Sequence, residues 1–491
     1  MRLSASIFYG LHRPSECELR LYLRAKGVEE AKESPYEEVL LQLGQRYESE
    51  HLRSIGAYAD VSEGTEEERV QRTIELVRSG APAVYQPAFR ISVSIGGQSL
   101  VLTGEPDLLI KEDGGYRVRD VKISRRITEQ DHPEILLQLG MYGWLFEQTF
   151  KQNPMRLEVL SGAGILEEVP SAAVARAIGE LERIAIMLTG KADPVSPVGW
   201  TKCGGCGFKE RCWNSAVRNK DVATVPGVDE GLARALYGEG ITTIEGLLSH
   251  FDESTLAGYQ RPWGARMQKV GKAAGKILRL ARVIADGKER VLATPAIPAA
   301  DNYVMFDLEG LPPQLDELDK IYLWGIQVFG ARPSEYLGKI AMIGPNGDRE
   351  GWEAFLESAQ SVFDNYGDVP YVHWSHYEKT KLNAYIERYG DRDGIAQRVN
   401  RSLLDLLRVT QNAIELPLPS YSLKVIEQYI GFKRSQSEYG GDWAMAAFVH
   451  ATEAEDEGKR RELLESILTY NREDLEATWA VLRWLKSKQA S

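Results

Sequence analysis

Long apolar runs are missing from this chain of 491 residues. None reaches the roughly 20 residues that a membrane-crossing helix needs, and the opening MRLSASIFYGLHRPSECELR has no apolar segment of the kind a secretion signal carries. A cytoplasmic setting without a membrane partner is therefore expected. Cysteine is scarce too. There are four, and a reducing compartment excludes a fold stapled by disulfides. An excess of positive charge is also lacking. A net charge of −12 excludes a protein that coats nucleic acid through bulk attraction. It does not exclude an enzyme whose carboxylates hold divalent ions, because bound cations reverse the local sign. No GxxxxGK[ST] run occurs, so the chain shows no nucleotide-driven motor of its own.

What is present suits soluble globular domains: 43% hydrophobic and 26% charged residues. The length suggests about three domains. Residues 1–215 begin and end near the cysteines and read as one closed unit. Within it a helical pattern (SPYEEVLLQLGQRYESEHLRSIG) precedes strand patterns (PAFRISVSIGG, SLVLTGEPDLLI, YRVRDVKIS) and a second helix (EILLQLGMYGWLFEQTF). That order predicts an α/β core. Residues 216–292 read as a helical module, with KVGKAAGKILRLARVIADG continuing helically. The prolines of ATPAIP mark a boundary at 293–298. From 301 onward the strand patterns NYVMFDLEG, KIYLWGIQVFG and DVPYVHWSHYE return, and a long helix (KRRELLESILTYNREDLEATWAVLRWLK) closes residues 293–491. Local basic stretches such as KISRR and KVGKAAGKILRLAR read first as solvated faces.

Three of the cysteines, Cys203, Cys206 and Cys212, stand in KCGGCGFKERC, and Cys17 lies far upstream. A C-x2-C pair can grip one metal ion or one cluster, and four thiolates complete either a Zn2+ site or an iron–sulfur site. Spacing leaves both open. Either centre would tie the beginning of the first unit to its end.

Two acidic constellations carry the chemistry. In GEPDLLIKEDGGYRVRDVKISRR, Asp107 lies in one strand pattern and Asp120 and Lys122 in the next, across a Gly114-Gly115 turn. Residues two apart on a strand share a face, so Asp120 and Lys122 look the same way, and hairpin pairing would bring Asp107 beside them. Two carboxylates hold a divalent ion, and a lysine there can orient water or offset developing charge. On the following helix Gln138 and Tyr142 share a face. In the C-terminal region VMFDLEG puts Asp307 and Glu309 on one face of an apolar strand, where two carboxylates are costly unless compensated. LTYNREDLEATWAVL puts Tyr470 and Asp474 one turn apart, and Glu378 stands where a strand pattern runs into a helix.

The first constellation resembles the RecB-type PD-(D/E)xK nucleases, whose pattern ends in a glutamine-x3-tyrosine helix. It is most similar to their iron–sulfur branch, in which one cysteine precedes the core and a C-x2-C-x5-C run closes it. The resemblance implies a restriction-endonuclease-like fold and a 4Fe–4S cluster on Cys17, Cys203, Cys206 and Cys212. It also implies Mg2+ or Mn2+ at the acidic site and cleavage of single-stranded DNA or DNA ends. Those families often carry a histidine ligand shortly after a helix glycine; here Glu48 follows Gly44 by four, with His51 as the alternative. The second constellation resembles the DEDD 3′–5′ exonucleases of the RNase H-like fold, tyrosine-type branch, and particularly the YprB-like domain. LPLPSYSLKVIEQYIGF is similar to the segment that precedes that domain's last helix. The likeness implies that Asp307, Glu309, Glu378 and Asp474 hold two divalent ions and that Tyr470 positions water. Glu378 departs from the aspartate usual there. VPGVDEGLARALYGEGITTIEGLL resembles a helix-hairpin-helix unit, with Pro226-Gly227 at the turn and Gly240-Ile241 opening the next segment, which implies sequence-independent phosphate contact. The expected protein is thus an α/β nuclease: a restriction-endonuclease-like and an RNase H-like domain joined by a helical module. DNA is the expected substrate, with RNA as a second candidate and a helicase as a partner. The rival reading is a nucleic-acid-binding scaffold with one or both sites decayed.

Overall fold

The computed structural model describes residues 1–31, 35–264, 266–312, 319–436 and 440–489. By internal contacts it divides into two compact units, one formed by most of residues 1–209 and the other by most of 210–491.

The first unit holds two sheets. Arg2–Ser4 runs parallel to Gln98–Gly104, which pairs antiparallel with Phe89–Ile95. The second sheet has six strands in the order Ala59–Asp60, Ala83–Tyr85, Leu108–Glu112, Gly115–Val121, Leu157–Leu160, Leu166–Glu168. The stretch 99–110, one strand pattern in the sequence, is two strands in different sheets. Pro106 offers no N–H to a ladder, and the chain breaks at Glu105–Asp107 before entering Leu108–Glu112. The helix Pro133–Phe150 is apolar on most of its circumference and is buried as such, with Leu137, Leu139, Met141, Leu145 and Phe146 in the core. It reaches the strand only because Gly104 has no side chain: a Cβ there would stand 2.6 Å from Leu145 and 2.9 Å from Tyr142.

In the second unit the helical module and the C-terminal α/β region occur together. Val222–Thr224, Glu230–Gly238 and Ile244–His250 are short helices, the last two N-capped by Asp229 and Thr243, whose side chains accept from Leu232 N and Gly246 N. Gly227 and Gly240 take the positive φ values (96° and 78°) that the intervening turns demand. Residues 216–292, expected as a helical module, are not helical throughout. Gln260–Trp263 and Arg266–Lys269 form an antiparallel hairpin, because a window holding Pro262, Trp263 and Gly264 breaks the helical period.

The C-terminal sheet has five strands in the order Leu337–Ile340, Lys320–Gly330, Asn302–Leu311, Tyr371–His373, Leu403–Asp405. The first three are antiparallel; Tyr371–His373 and Leu403–Asp405 join in parallel. Strand Asn302–Leu311 is buried on both faces, and parity divides its work. Val304, Phe306 and Leu308 pack with Trp352, Phe355 and Ala359 of the helix Pro345–Tyr366. Tyr303 and Met305 pack with Leu475, Val481 and Leu482 of the helix Glu457–Gln489. Asp307 and Glu309 continue this second row, so the strand aims them toward the helix that carries Tyr470 and Asp474.

Candidate active sites

In the first unit the hairpin register sets Leu108 opposite Arg119, which leaves Asp107 and Asp120 as the next pair. The Asp107 N–H donates to Asp120 Oδ1 at 3.3 Å, and Val121 N–H donates to Asp107 Oδ2 at 2.7 Å. Lys122 Nζ lies 2.7 Å from Asp120 Oδ2. Burial and the neighbouring charge of Asp120 push the Asp107 carboxyl well above the usual carboxylate range, against Lys122, which lowers it. Burial disfavours the Lys122 charge, but Asp120 and Asp107 outweigh it and hold its pKa above the ordinary value. Gln138 Nε2 donates to Tyr142 Oη at 2.9 Å. The Tyr142 phenol is pushed up by burial and by the charges of Asp120 and Asp107.

The structure separates Glu48 from His51. Gln86 Nε2 donates to Glu48 Oε1 at 2.8 Å and reaches Asp107 Oδ1 at 3.5 Å, so Glu48 belongs to the Asp107 group. His51 Nε2 instead meets Arg119 Nη1 at 3.1 Å. Arg119 alternates with Asp120 along the strand, faces the other way, and pairs with Glu158 at 3.1 Å. Burial and the Arg119 charge lower the His51 pKa. Gln86 was not visible as a site residue in the sequence. Its backbone is left-handed (φ 52°), an uncommon state for a residue other than glycine and one that collects at functional sites. Its N–H bonds Asp107 O at 2.9 Å. Tyr85, its neighbour, has a phenol pushed up to about 12 by burial and by Glu48.

In the second unit Asp307, Glu309 and Asp474 bring one oxygen each within 4.8 Å of one another, the group of this kind found among the described residues. Burial and mutual repulsion push Asp307 and Glu309 well above the usual range. Burial also raises Asp474, against the Arg434 guanidinium. Three hard oxygen donors that repel one another in a confined space fit a hard divalent cation such as Mg2+ or Mn2+. Tyr470 lies one turn before Asp474, its ring edge-on to Trp443 at 6.4 Å, and burial followed by Asp474 raises its phenol. Glu378 is not in this set of three, but its charge adds to the repulsion on Asp307 and Glu309. It accepts from or shares a proton with His373 Nδ1 at 3.2 Å, and burial raises its carboxyl against His373.

Three further residues complete this centre. Asn471 Nδ2 donates to Asp307 Oδ2 at 2.7 Å, while Tyr336 Oη donates to Asn471 Oδ1 at 2.8 Å, fixing which way the amide points. Asn471 fits only because residue 325 is glycine: a Cβ there would lie 1.8 Å from Asn471 Oδ1. A glycine inside a strand pattern is the signal that marks such a close approach. Arg434 Nη2 donates to Asp474 Oδ1 at 2.5 Å and to Glu427 Oε2 at 2.6 Å. Glu427 and Asp474 together raise its pKa despite burial. Lys424 Nζ sits 5.3 Å from the Tyr470 ring centre, and its charge is disfavoured by burial and by Arg434.

The four cysteines form no disulfide with one another and are half-buried. Cys17 caps the helix Glu18–Ala25, its Sγ accepting from Arg20 N at 3.4 Å, and Cys206 N bonds Cys203 O at 3.2 Å. Burial raises the Cys206 thiol, and charge on Cys17 or Cys203 would raise it further. Among the described residues, the set of three or more ligand atoms within 4.8 Å of one another does not include these sulfurs. Cys212 is on the helix Lys209–Arg218, in the second unit.

The two regions that carry the acidic clusters match two different superfamilies. Residues 7–213 match the PD-(D/E)XK nuclease superfamily and residues 304–486 match the RNase_H superfamily. The chain therefore carries a PD-(D/E)XK nuclease domain near its N-terminus and an RNase H-like domain near its C-terminus, the α/β fold pair that the sequence predicted. Among solved structures it is similar to a candidate exonuclease from Eubacterium rectale, with 14% identity, 39% of this chain and 83% of that chain covered, and a TM-score of 0.26. It is also similar to SSO0001, with 18% identity, 35% and 95% coverage, and a TM-score of 0.19. Overlaps so partial bear no weight for function. No curated protein matches the chain. No described helix is long and apolar enough to cross a membrane.

Proposed function

We propose that this protein is a metal-dependent nuclease with two phosphodiesterase centres, acting on DNA, single-stranded or at ends, in nucleic-acid processing, repair or defence. The observation that carries the reading is the convergence of Asp307, Glu309 and Asp474, three mutually repelling carboxylates that a divalent cation would neutralise. The C-terminal centre is read as a 3′–5′ exonuclease and the N-terminal centre as a RecB-type nuclease. Divalent ions, when bound, supply an activated water and charge stabilisation at the phosphate. Asp307, Glu309, Asp474 and Glu378 would hold them in one centre, and Asp107, Asp120 and Glu48 in the other. Tyr470 orients water beside Asp474, and Asn471 keeps the Asp307 carboxylate turned toward its partners. Lys122 offsets developing charge beside Asp120, and Gln138 and Tyr142 line the same side. Cys17, Cys203, Cys206 and Cys212 are read as holders of a structural 4Fe–4S cluster, with Zn2+ as the alternative. The short helices around Gly227 and Gly240 are read as a helix-hairpin-helix contact to phosphate, and a helicase as the partner that supplies unwound strands.

The test is hydrolysis of end-labelled single- and double-stranded DNA and RNA with Mg2+ or Mn2+, comparing Asp120→Ala, Asp307→Ala and the double variant. Each single variant is expected to remove one class of product and the double variant all cleavage. Unchanged cleavage by the double variant would refute both centres, and loss with Asp307→Ala alone would leave the N-terminal domain a binding scaffold. A brown protein absorbing in the visible range identifies the cluster; a colourless anaerobic preparation containing zinc would reverse that assignment.

A further inference from the structure

The hairpin Gln260–Lys269 is an element whose exposure its own packing does not explain. Residues 262–264 and 266–269 are exposed, including two large apolar side chains, Trp263 at 58% and Met267 at 60%. An isolated two-stranded hairpin is marginal in water, yet this one is fastened at its base. Pro262 O presses against Gly231, where a Cβ would stand 2.1 Å away. Val270 N closes the pair by bonding Tyr259 O at 3.0 Å. Arg261 Nη2 pairs with Asp229 Oδ2 at 2.9 Å, the residue that also caps the helix Glu230–Gly238.

The register puts Arg261, Trp263, Arg266 and Gln268 on one face. There the indole of Trp263 rests on the Arg261 guanidinium, 4.5 Å from charge to ring centre. A tryptophan is thus held flat on a fixed cation with its other face open to solvent. The charge around it is of one sign. Residues 254–285 contain seven Lys and Arg and no Asp or Glu, in a chain of net charge −12. Arg266, Lys269, Lys272 and Lys276 are exposed, and among the described residues none of them forms a salt bridge. An open aromatic face rimmed by unpaired cations is the arrangement that holds a nucleobase by stacking and its phosphates by charge.

From this geometry we propose that the hairpin is a binding platform for single-stranded nucleic acid, with an unstacked base on Trp263 and a flanking phosphate at Arg266 on the same face. Stacking tolerates every base, so the platform holds strands without reading sequence. A duplex hides its base faces and does not satisfy Trp263. The platform rests on nucleic acid being the substrate, and it adds where the strand is held outside the carboxylate centres.

The test uses the full chain and a fluorescein-labelled 20-mer of oligothymidylate in EDTA, so that binding is read by anisotropy without cleavage. Trp263→Ala is expected to raise Kd about 5- to 100-fold, with the melting temperature unchanged because the side chain packs against little but Arg261. Trp263→Phe is expected to recover most of that loss. Arg266→Ala is expected to reduce the slope of log Kd against log salt by about 0.7. Binding by Trp263→Ala equal to wild type would overturn the platform, as would failure of the wild-type chain to bind the oligonucleotide. A duplex of equal length bound as tightly, with the same sensitivity at Trp263, would overturn the single-strand assignment. Cleavage of the same oligonucleotide in Mg2+ separates the two ideas. Weak binding by Trp263→Ala beside a wild type that cuts nothing sinks the nuclease reading and keeps the platform. Normal cleavage with unaltered Trp263→Ala binding does the reverse.

Discussion

The two acidic centres balance their charge differently. In the N-terminal domain the counter-charge is built into the same strand: Lys122 stands two residues from Asp120 and 2.7 Å from its carboxylate. In the C-terminal domain three carboxylates crowd together, and the cation that meets them, Arg434, comes from a segment 40 residues before Asp474. The first centre is compensated by strand parity, the second by tertiary folding. A centre of the second kind depends more on a bound cation and on the helix that carries half of it.

The largest effect that would break or sharpen this contrast is loss of a carboxylate. Asp307→Ala and Asp120→Ala are each expected to slow their own centre by roughly a hundredfold to ten-thousandfold, the range of several kcal/mol of charge stabilisation. Single-turnover cleavage of substrates assigned to each centre would show it, and parallel loss in both centres from one substitution would deny their independence. A smaller effect is expected from Asn471→Ala, which frees the Asp307 carboxylate without removing it. Apparent metal affinity at the C-terminal centre should fall about 10- to 100-fold, with rate recovering at high Mg2+ and the N-terminal centre unaffected. If the rate stays low at saturating metal, Asn471 does more than orient Asp307.

The smallest effect is on stability. Asp307 and Glu309 are raised in the folded state, whereas in the unfolded chain such groups titrate near the ordinary value of about 4. The native state then binds protons that the unfolded chain has released. Their contribution to stability is complete below about pH 4 and is lost as pH rises through the raised native values. In metal-free protein the melting temperature of the C-terminal region should therefore fall across that window. Asp307→Asn should flatten the fall, and saturating Mg2+, bound only by the folded form, should offset it. Lys122, also raised, follows the same sign at a different place. Its contribution persists below about pH 10 and disappears only in strong alkali. A C-terminal melting temperature that does not change with pH in EDTA would contradict the crowding of the three carboxylates.

How far the sequence revealed these centres follows from the same contrast. Asp107, Asp120 and Lys122 belong to one hairpin, so strand parity and a Gly-Gly turn suffice to bring them together. Asp307 with Glu309, and Tyr470 with Asp474, are each legible as a strand pair and a helix pair. That the pairs face one another follows from the apolar rows beside them, Tyr303 and Met305 on the strand and Leu475 and Val481 on the helix. Gln86 and Arg434 were not legible. Each lies in irregular backbone, where no period applies, and each acts through a contact distant in sequence. Asn471 left one trace, the glycine at 325, which marks a close approach without naming what approaches. The hairpin at Gln260–Lys269 lies almost wholly before the basic run that begins at Lys269, in a short stretch with no strand alternation to mark it.

One detail of strand Asn302–Leu311 bears on how such a centre survives change. Its pairing with Lys320–Gly330 slips between Glu309 and Gly310, the mark of an extra residue accommodated there. Upstream of that slip the strand obeys strict alternation, and a one-residue insertion or deletion would exchange the row of Tyr303, Met305, Asp307 and Glu309 for the row of Val304, Phe306 and Leu308. Asp307 and Glu309 would then be turned into the apolar core. Downstream, the irregularity can absorb a length change. A one-residue change in length is therefore expected to be tolerated only on the far side of Glu309, while the stretch from Tyr303 to Glu309 has a fixed reading frame of its own.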